Sequence, residues 1–582
     1  MAANCVGFAA ILPLVSASLD LVAIGRVSVD LYGQQIGSPL EDIATFAKAI
    51  GGCPANIAIG AARLGLRSAL LTRVGDEPMG RFVLEQLARE GVDTRAVQVD
   101  AQRLTPLVLL AVRDRDSFPL VFYRENCADS VLGPENVPEE LIASARAVLV
   151  TGTHFSLGPG AQAQRKAIAL ARAHGRKVIL DIDYRPNLWG LGGHGAGASR
   201  YARSARVTGT LATVLPDCDL IVGTEEEMHI AAGSEDTLEA VRTIRARSHA
   251  TLVVKRGAAG CVVFETGPPP RSLEEGLVAP GLAVEVYNVL GAGDAFLAGY
   301  LRGYLRDAPA AQCARYANAC GALAVSRLLC SAEFPSFIEL EYYLSHGSRE
   351  RALRFDAALN HLHWVTTARR GPGEVRALAT GVQEAQRAIE ALAGAGTAVA
   401  GAGVLLDAAA DPPLRRAALR QGLWVAQELA PGGASAHLIE WPGAMTVACR
   451  YAEGAEDGLA QVHAVCRAQG RELLVVIGGT APPQAIARLY ACGIRPDWWA
   501  LAAPADPGVL ETCAQAIAAG DAYCRGVLVL LEEAAEDAAR RLAVAAASPV
   551  VRGFIATGSI PSGVAERFRA LTGAWQAAKE GH

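Results

Sequence analysis

The sequence predicts an α/β sandwich followed by a TIM-barrel-like (β/α)8 part, and three observations support this. With 582 residues, 51% hydrophobic and 19% charged, the chain has enough apolar material for two sizeable cores. The first 345 residues alternate short β-like runs with helical patterns, which is typical of a mostly parallel sheet covered on both faces. After residue 355, eight β-like runs alternate with alanine-rich helical patterns, which is typical of a barrel.

Apolar runs and helical periodicity define the elements of the first part. Strands are expected at 21–24, 68–73, 148–151, 177–181, 220–222, 251–254 and 261–264. Helices are expected at 56–64, 80–90 and 161–174. The runs 107–112 and 120–123 flank a charged turn and predict a β-hairpin placed to close over a substrate.

The second part follows a short, polar and charged stretch at 345–354, where we place the domain junction. Its strands are expected at 377–380, 404–407, 423–427, 445–450, 472–477, 498–502, 526–531 and 553–556. The predicted divisions are therefore an N-terminal extension at 1–19, a first domain at 20–345 and a barrel domain at 355–582.

Composition and charge exclude several classes of partner. Lys and Arg number 54 against 59 Asp and Glu, so a net charge of -5 gives no electrostatic attraction to nucleic acid or to an anionic membrane. No run reaches the roughly 20 uninterrupted apolar residues of a membrane span. The thirteen cysteines form no Cys-x-x-Cys pair, which indicates reduced thiols and a cytoplasmic location. We therefore expect a small-molecule substrate, and a homo-oligomer is compatible with the sequence.

The run Gly291-Ala292-Gly293-Asp294 stands before a helical pattern and has the composition of a phosphate-transfer site. Glycines let the backbone approach a ligand closely, and N–H groups at a helix N-terminus attract anionic oxygens. Asp294 would repel a phosphate, so its useful role is to take the proton from an attacking alcohol. For an isolated motif, a glycine-rich helix start with Asp294 as a capping residue is the better interpretation.

Two earlier motifs favour a catalytic role of Asp294 over a capping role. Residues 25–30 follow the first strand and end in Asp30, and residues 51–56 (Gly-Gly-Cys-Pro-Ala-Asn) open a helix and supply Gly52 and Asn56. A carboxylate and an amide provide the acceptors and donors that fix neighbouring hydroxyls. In this order the three motifs resemble those of the ribokinase-like, or phosphofructokinase-B, carbohydrate kinases over roughly residues 20–335.

This resemblance implies an α/β core with a small β-lid, ATP and Mg2+ as cofactors, and transfer of the γ-phosphoryl group to a sugar hydroxyl. It implies that Asp294 is the base and that the backbone of Gly291, Ala292 and Gly293 forms the anion hole. Asp30, Gly52 and Asn56 are then expected to bind the sugar.

The nucleotide side of the family pattern is also present. Thr224 replaces the asparagine of an Asn-x-x-Glu motif, while Glu227 is kept and is expected to act on magnesium through water. Lys255 and Gly257 stand in a loop that resembles the family segment approaching ATP. Asn318 matches a region near the adenine.

Two arginines narrow the class of acceptor to sugars that carry a carboxylate. Arg185 lies in a segment, 181–189, that resembles the Asp-x-Asn-x-Arg-Pro segment of kinases acting on keto-deoxy sugar acids, and Arg124 lies on the expected lid. Two guanidinium groups that converge on one pocket select a carboxylate through bidentate pairing, although each alone is as well explained by a structural ion pair. The signature variant and the long C-terminal part are most similar to the branch that phosphorylates 5-dehydro-2-deoxy-D-gluconate at its 6-hydroxyl in myo-inositol catabolism. Kinases of 2-keto-3-deoxygluconate or fructose are the alternatives.

The segments 362–364, 493–499 and 548–554 resemble a domain that is fused to many such kinases and is related to class I sugar-phosphate aldolases. The chemistry of the second part nevertheless argues against aldolase activity. A class I aldolase needs a lysine to form a Schiff base, and from residue 355 onward the only lysine is Lys579. His437 and His463 are isolated and suggest no metal site. Gly553 and Gly558 fall near the end of the eighth strand, where barrels often hold phosphate.

Three hypotheses follow from these observations. The first is a sugar-acid kinase whose barrel lacks Schiff-base activity. The second is a bifunctional kinase and aldolase that also cleaves the phosphorylated product to dihydroxyacetone phosphate and malonate semialdehyde. The third, a non-catalytic sugar sensor, ranks last because Gly291, Gly293 and Asp294 are all present.

Overall fold

The structure, a computed structural model, divides the chain into two compact units, Met1–Thr367 and Ala368–His582. It describes residues 18–580 apart from 115–116, 194–200, 368–371, 395–400, 430–437, 439–440, 443–444, 480, 532–534 and 558–563. Most of the expected N-terminal extension, together with His437 and Gly558, lies outside the described residues. Within them, no helix is both long and apolar enough to cross a membrane.

The first unit interleaves strands and helices along the chain. Its strands are β1 (Leu19–Ile24), β2 (Ser28–Gly33), β3 (Phe46–Gly51), β4 (Ser68–Gly75), β5 (Val97–Asp100), β6 (Leu107–Leu110), β7 (Leu120–Tyr123), β8 (Ala145–Thr151), β9 (Lys177–Asp181), β10 (Leu220–Thr224), β11 (Thr251–Lys255), β12 (Cys261–Phe264) and β13 (Leu277–Ala279). Its helices are α1 (Cys53–Arg63), α2 (Pro78–Arg89), α3 (Glu139–Ala143), α4 (Gly158–Ala173), α5 (Ala205–Ala212), α6 (Glu225–Ala232), α7 (Thr237–Arg245), α8 (Ala292–Tyr304), α9 (Ala310–Val325), α10 (Phe337–His346) and α11 (Ala357–Thr367).

The main sheet of this unit has nine strands in the order β13-β12-β11-β10-β9-β8-β1-β4-β5. Strands β11 to β13 pair antiparallel and the other neighbours pair parallel. Side chains of β1 alternate between two cores, with Leu21 and Ala23 in one and Val22 and Ile24 in the other. Because successive side chains of a strand point to opposite faces, the sheet is covered on both sides, which confirms the predicted α/β architecture.

A smaller sheet has the strand order β3-β2-β6-β7. Strands β6 and β7 pair antiparallel, with Leu107 opposite Tyr123, so the predicted hairpin is confirmed. Strand β2 pairs antiparallel with β3 and parallel with β6. This sheet carries Asp30 on β2 and Phe122 on β7, and it therefore brings part of the lid against the candidate site.

The first unit extends past the predicted junction because helix α11 packs on α10. Glu339 of α10 forms a buried ion pair with Arg327, and His363 Nδ1 of α11 donates a hydrogen bond to Glu339 Oε2 at 2.9 Å. Burial lowers the pKa of His363 to about 4, so its imidazole is neutral. Burial alone would raise the pKa of Glu339, but Arg327 and His363 lower it to about 2. The carboxylate therefore stays ionised and holds α11 to the first unit.

The second unit is a closed barrel of eight parallel strands, each paired with its neighbours in chain order. The strands are β14 (Val375–Thr380), β15 (Ala402–Leu406), β16 (Trp424–Glu428), β17 (Thr446–Tyr451), β18 (Leu473–Ile477), β19 (Trp498–Ala502), β20 (Gly526–Leu531) and β21 (Val551–Ala556). The helices are α12 (Val382–Gly394), α13 (Pro412–Arg420), α14 (Glu456–Ala468), α15 (Pro482–Ala491), α16 (Pro507–Gly520), α17 (Ala535–Ala546) and α18 (Val564–Glu580). The predicted TIM-like barrel is confirmed.

Candidate functional site

The candidate site lies at the edge of the main sheet where parallel strands end. β9 ends at Asp181, β10 at Thr224 and β11 at Lys255, and Thr224 pairs directly with Lys255. Helix α8 starts beside this edge, because Lys255 Nζ lies 3.2 Å from the position of a Cβ built on Gly293. Strand ends and a helix N-terminus that meet in this way form a site for anionic ligands.

The N-terminus of α8 is open to a ligand. Gly291 caps the helix in the left-handed conformation, with φ of 81°, and a Cβ there would lie 1.9 Å from Cys330 Sγ, so only glycine fits. Ala292 is the first helical residue, and its N–H donates to Val289 O at 3.3 Å. Across the described part of the chain, no side chain caps this helix. The following N–H groups can therefore bind an anion.

Lys255 is a buried cation at this edge. Its Nζ lies 3.6 Å from Asp181 Oδ1 and 3.6 Å from Glu227 Oε2. Burial alone would lower the pKa of Lys255, but the two carboxylates raise it above its usual range, so the amine stays protonated. A fixed positive charge therefore lies next to the N-terminus of α8.

Glu227 and Thr224 form a reciprocal cap at the start of α6. Thr224 N–H donates to Glu227 Oε2 at 2.7 Å, and Glu227 N–H donates to Thr224 Oγ1 at 3.2 Å. Tyr184 N–H donates to the other carboxylate oxygen at 3.2 Å. The Glu227 side chain is thus held in one orientation, facing Lys255.

Asp294 lies in the first turn of α8 and is oriented by Asn56 of α1. Asn56 Nδ2 donates to Asp294 Oδ2 at 2.8 Å, while Asn56 Oδ1 is buried and has no partner among the described residues. Burial raises the pKa of Asp294, and the nearby Asp183 carboxylate adds to the shift. A carboxylate with a raised pKa is a better proton acceptor than an exposed one.

A cavity of about 70 Å3, which we call the first cavity, lies in front of Asp294. Residues singled out from the sequence that line it are Asp30, Gly52, Asn56, Arg185, Gly291 and Asp294. Ser28 Oγ donates to Asp30 Oδ1 at 2.7 Å, and burial raises the pKa of Asp30 to about 6. Gly52 has φ of 97°, and a Cβ there would lie 2.6 Å from Arg26 O. Carboxylate, amide and guanidinium groups therefore face one small space.

The two arginines expected to bind a carboxylate differ in their contacts. Arg185 lines the first cavity, and within the described ranges its guanidinium forms no hydrogen bond or close ion pair. Burial alone would raise the pKa of Glu227, but Lys255 and the Arg185 guanidinium lower it, so Glu227 is a carboxylate whose charge Arg185 feels. Arg124 is paired with Asp129 at 2.6 Å and lines a neighbouring second cavity. Phe122 lines both cavities, so the cavities adjoin at this lid residue.

Two residues expected near ATP lie apart from these cavities. Gly257 follows Lys255 in a turn between β11 and β12, and a Cβ there would meet open space. Asn318 on α9 donates from Nδ2 to Ala279 O at 3.1 Å and to Pro280 O at 3.0 Å. The Asn318 amide therefore fixes the end of β13, and its role toward adenine stays a prediction.

Sequence reasoning missed several residues that line the first cavity. Arg26 pairs with Asp183 at 2.6 Å, and Cys53 and Cys330 place thiols beside Asp294. Arg26, Ser28 and Cys53 stand inside the quoted motifs, so closer attention to each motif position would have found them. Cys330 carries no local signal, because only the packing of its loop against Gly291 brings it to the site.

Comparison with known proteins gives two family matches. Residues 18–336 match the model described as pfkB family carbohydrate kinase. Residues 339–402 and 382–576 match a model described as an uncharacterized protein conserved in bacteria (DUF2090).

Two similar curated proteins carry the same name. The chain is 31% identical over 343 residues to "5-dehydro-2-deoxygluconokinase" of Geobacillus kaustophilus, a match that covers 58% of this chain and 96% of the relative. It is 29% identical to the protein of the same name in Bacillus subtilis, with 57% of this chain and 97% of the relative covered.

Among solved structures, a putative ribokinase II from E. coli, in complex with ATP and Mg2+, matches with a TM-score of 0.50 and 22% identity. That match covers 56% of this chain and 99% of the other. At this identity the likeness shows the fold alone, which is ribokinase-like.

Proposed function

The chain belongs to the pfkB family of carbohydrate kinases, and from this premise we propose that it phosphorylates the 6-hydroxyl of 5-dehydro-2-deoxy-D-gluconate. As a member of that family it is an ATP-dependent phosphotransferase acting on a sugar. One observation supports the choice of a sugar acid above all: the guanidinium of Arg185 lines the same cavity as Asp294 and forms no hydrogen bond or close ion pair in the described chain. An unpaired guanidinium in a substrate cavity favours an acceptor that carries a carboxylate.

Asp294 acts as the base in this proposal. It accepts the proton of the attacking hydroxyl as that oxygen bonds to the transferred phosphorus. The hydrogen bond from Asn56 at 2.8 Å orients the carboxylate toward the cavity. The raised pKa of Asp294 supports this role, because the group holds a proton more strongly than an exposed carboxylate.

The N-terminus of α8 and Lys255 stabilise negative charge. The uncapped N–H groups after Gly291 lie close to the ammonium of Lys255, whose Nζ is 3.2 Å from the position of a Cβ built on Gly293. Donors that are fixed before the reaction stabilise charge that develops on the transferred group without reorganising. Gly291, Ala292 and Gly293 contribute their backbone to this anion hole.

The acceptor is held by polar groups from strand β2, from helix α1 and from the segments that follow β7 and β9. Asp30 on β2 and Asn56 on α1 face the first cavity and can bind neighbouring hydroxyls, and Gly52 allows close approach of the backbone. Arg185 pairs with the carboxylate from the first cavity, and Arg124 reaches it from the second. The ion pair of Arg124 with Asp129 leaves less of its charge available, so Arg185 contributes more.

The nucleotide and its metal ion are assigned to the adjoining strand ends. Asp181 and Glu227 present carboxylate oxygens, the ligand type that Mg2+ prefers, and both already face a cation, Lys255. Glu227 would act on Mg2+ through water, and the ion would neutralise phosphate charge. Thr224, Gly257 and Asn318 are assigned to ATP on the family pattern.

Catalysis is assigned to the predicted first domain, 20–345, and the barrel domain, 355–582, is proposed to lack class I aldolase activity. Its only lysine, Lys579, lies in the last turn of α18, where its Nζ is 5.1 Å from the Trp575 ring. A Schiff base requires an amine at the mouth of the barrel. A bifunctional kinase and aldolase is therefore the weaker alternative.

An assay of ADP release tests the acceptor. 5-Dehydro-2-deoxy-D-gluconate is compared with 2-keto-3-deoxygluconate, fructose and ribose at equal ATP and Mg2+. We expect kcat/KM to be highest for the first acid, with both acids above the neutral sugars. Comparable values for fructose or ribose would contradict the role given to the arginines, and a higher value for 2-keto-3-deoxygluconate would change the substrate.

A further inference from the structure

A second cavity of about 280 Å3 adjoins the first, and of its lining only Arg124 is assigned to the acceptor in the proposed function. Phe122 of the lid lines both cavities. The second cavity is lined by Arg124 and Glu125, by Thr153, His154 and Ser156 from the turn after β8, and by Asn187, together with apolar side chains such as Leu157 and Leu188. Most of these side chains carry hydrogen-bonding groups, so the space suits a polar ligand.

His154 is the most unusual residue of this lining. Its side chain is fully buried, and neither ring nitrogen has a hydrogen-bond partner among the described residues. Asn187 Oδ1 is also buried without a partner. Buried polar groups in folded proteins almost always find partners, so these atoms indicate a ligand or ordered water in the cavity.

The imidazole of His154 is fixed by close packing. A Cβ on Gly160 would lie 2.7 Å from His154 Nε2, and a Cβ on Gly25 would lie 3.4 Å from its Cγ. Glycines on both sides thus leave just enough room for the ring. Burial and the nearby guanidinium groups of Arg124 and Arg26 lower the pKa of His154 to about 3, so the ring is neutral and offers one donor and one acceptor.

The size of the first cavity requires additional space for the acceptor. About 70 Å3 is room for roughly five ordered water molecules, whereas a six-carbon sugar acid has about a dozen non-hydrogen atoms. An acceptor with its reacting hydroxyl at Asp294 can therefore extend past the first cavity on the side where Phe122 borders the second. The second cavity, reached past Phe122, holds both a guanidinium and unpaired hydrogen-bonding atoms.

We propose that the second cavity is a subsite for the carboxylate end of the acceptor, and that His154 is a specificity-determining residue that donates a hydrogen bond to that end. Arg185 contacts the carboxylate from the first cavity, and Arg124 and His154 contact it from the second. Asn187 Oδ1 accepts from a neighbouring hydroxyl. This inference rests on the proposed function, since it requires a sugar acid as acceptor.

The test compares the variant His154→Leu with the unmodified chain on two acceptors. One is 5-dehydro-2-deoxy-D-gluconate, and the other is the analogue with a methyl group in place of its carboxylate. Loss of a hydrogen bond to a charged group should raise KM for the acid roughly ten-fold, with kcat and the KM for ATP changed by less than about two-fold. The KM for the methyl analogue should barely change, so the selectivity for the acid falls.

Two further sets of variants guard against misfolding. His154→Asn and His154→Gln keep an amide donor near one ring nitrogen or the other, and one of them should recover selectivity that His154→Leu loses. The control is His174→Leu, which changes a histidine at the far end of α4 that lines neither cavity. Thermal melting of each variant reports whether the fold is retained.

Each outcome has a distinct meaning. If the unmodified chain does not phosphorylate the acid, both the proposed function and the subsite fail. If it does, but His154→Leu keeps its selectivity or weakens both acceptors by the same factor, the subsite alone is wrong. A fall in kcat with unchanged KM values would also contradict a binding role.

Discussion

The two units both place the ends of parallel strands around a centre, but they fill that centre with different chemistry. In the first unit, Asp181 ends β9 and Lys255 ends β11, the two strands on either side of β10. The paired charges of these residues lie beside the N-terminus of α8. In the barrel, the interior is packed with apolar and aromatic side chains such as Trp424 and Trp498. The same strand geometry can therefore carry a reactive site or only a core, and the side chains decide which.

Charged groups of the barrel pair locally, away from any shared centre. Glu428 at the end of β16 pairs with Arg450 at 2.6 Å, and the Arg450 side chain is 65% exposed. Glu472, just before β18, accepts from Trp498 Nε1 at 3.0 Å and pairs with Arg525 at the amino ends of the strands. These pairs stabilise the barrel but present no nucleophile at the carboxyl ends of its strands.

Among the predicted changes, replacing Asp294 should lower the kinase activity of the first unit the most. Asp294→Asn removes the proton acceptor but keeps a group that can bond Asn56, so kcat should fall roughly a hundred- to ten-thousand-fold while the KM for ATP changes little. Steady-state ADP release measures both. Asp217→Asn, an exposed aspartate, is the matched control and should be unaffected. Near-normal turnover of Asp294→Asn would show that Asp294 is not the base.

Replacing Lys255 tests the charge beside the anion hole. Lys255→Met should lower kcat roughly a hundred-fold, because one fixed positive group near the transferred phosphoryl group is lost. The change also leaves Asp181 and Glu227 unpaired, so the free energy of unfolding should fall by about 3–5 kcal/mol in denaturant titrations.

A double variant separates the two effects of that change. Lys255→Met with Asp181→Asn should recover part of the stability but not the activity. Lys177→Met, at the opposite end of β9, is the control for loss of a lysine. Full activity in the double variant would mean that Lys255 only balances its two carboxylates.

The smallest effect is expected in the barrel, where we predict that borohydride traps no covalent adduct. Borohydride treatment of the chain with the phosphorylated product should leave no covalent adduct in residues 355–582, because no lysine lies near the strand ends. Mass spectrometry of peptides detects such an adduct, and a class I aldolase treated in parallel is the positive control. A trapped peptide from the barrel would remove the contrast between the units and support the bifunctional alternative.

Much of the fold could be predicted because its main strands are apolar and regular. All seven strands expected in the first part and all eight expected in the barrel occur. Strands β2, β3, β5 and β13 were not predicted. β13 is three residues long with mostly exposed side chains, and β3 carries Lys48, so neither forms a clear apolar run.

Some residues of the candidate site stand in recognisable sequence motifs, whereas others are brought to the site only by packing. Asp30, Asn56 and Asp294 stand in compact motifs, and the structure brings all three to one cavity. The separation of Arg124 from Arg185 could not be predicted, since it depends on how Phe122 packs and on the pairing of Arg124 with Asp129. His154 likewise has no motif, and only its burial beside a cavity distinguishes it.

The buried contacts of Glu339 with Arg327 and His363 also determine where the two units can be separated. Helix α11 contributes His363 to that cluster and Leu359, which is fully buried, to the core of the first unit. The family match ends at residue 336, before both helices. A kinase-only fragment cut at that point would lose Glu339 and expose the surface that α10 and α11 cover. A gene split that preserves the first unit must therefore fall after Thr367.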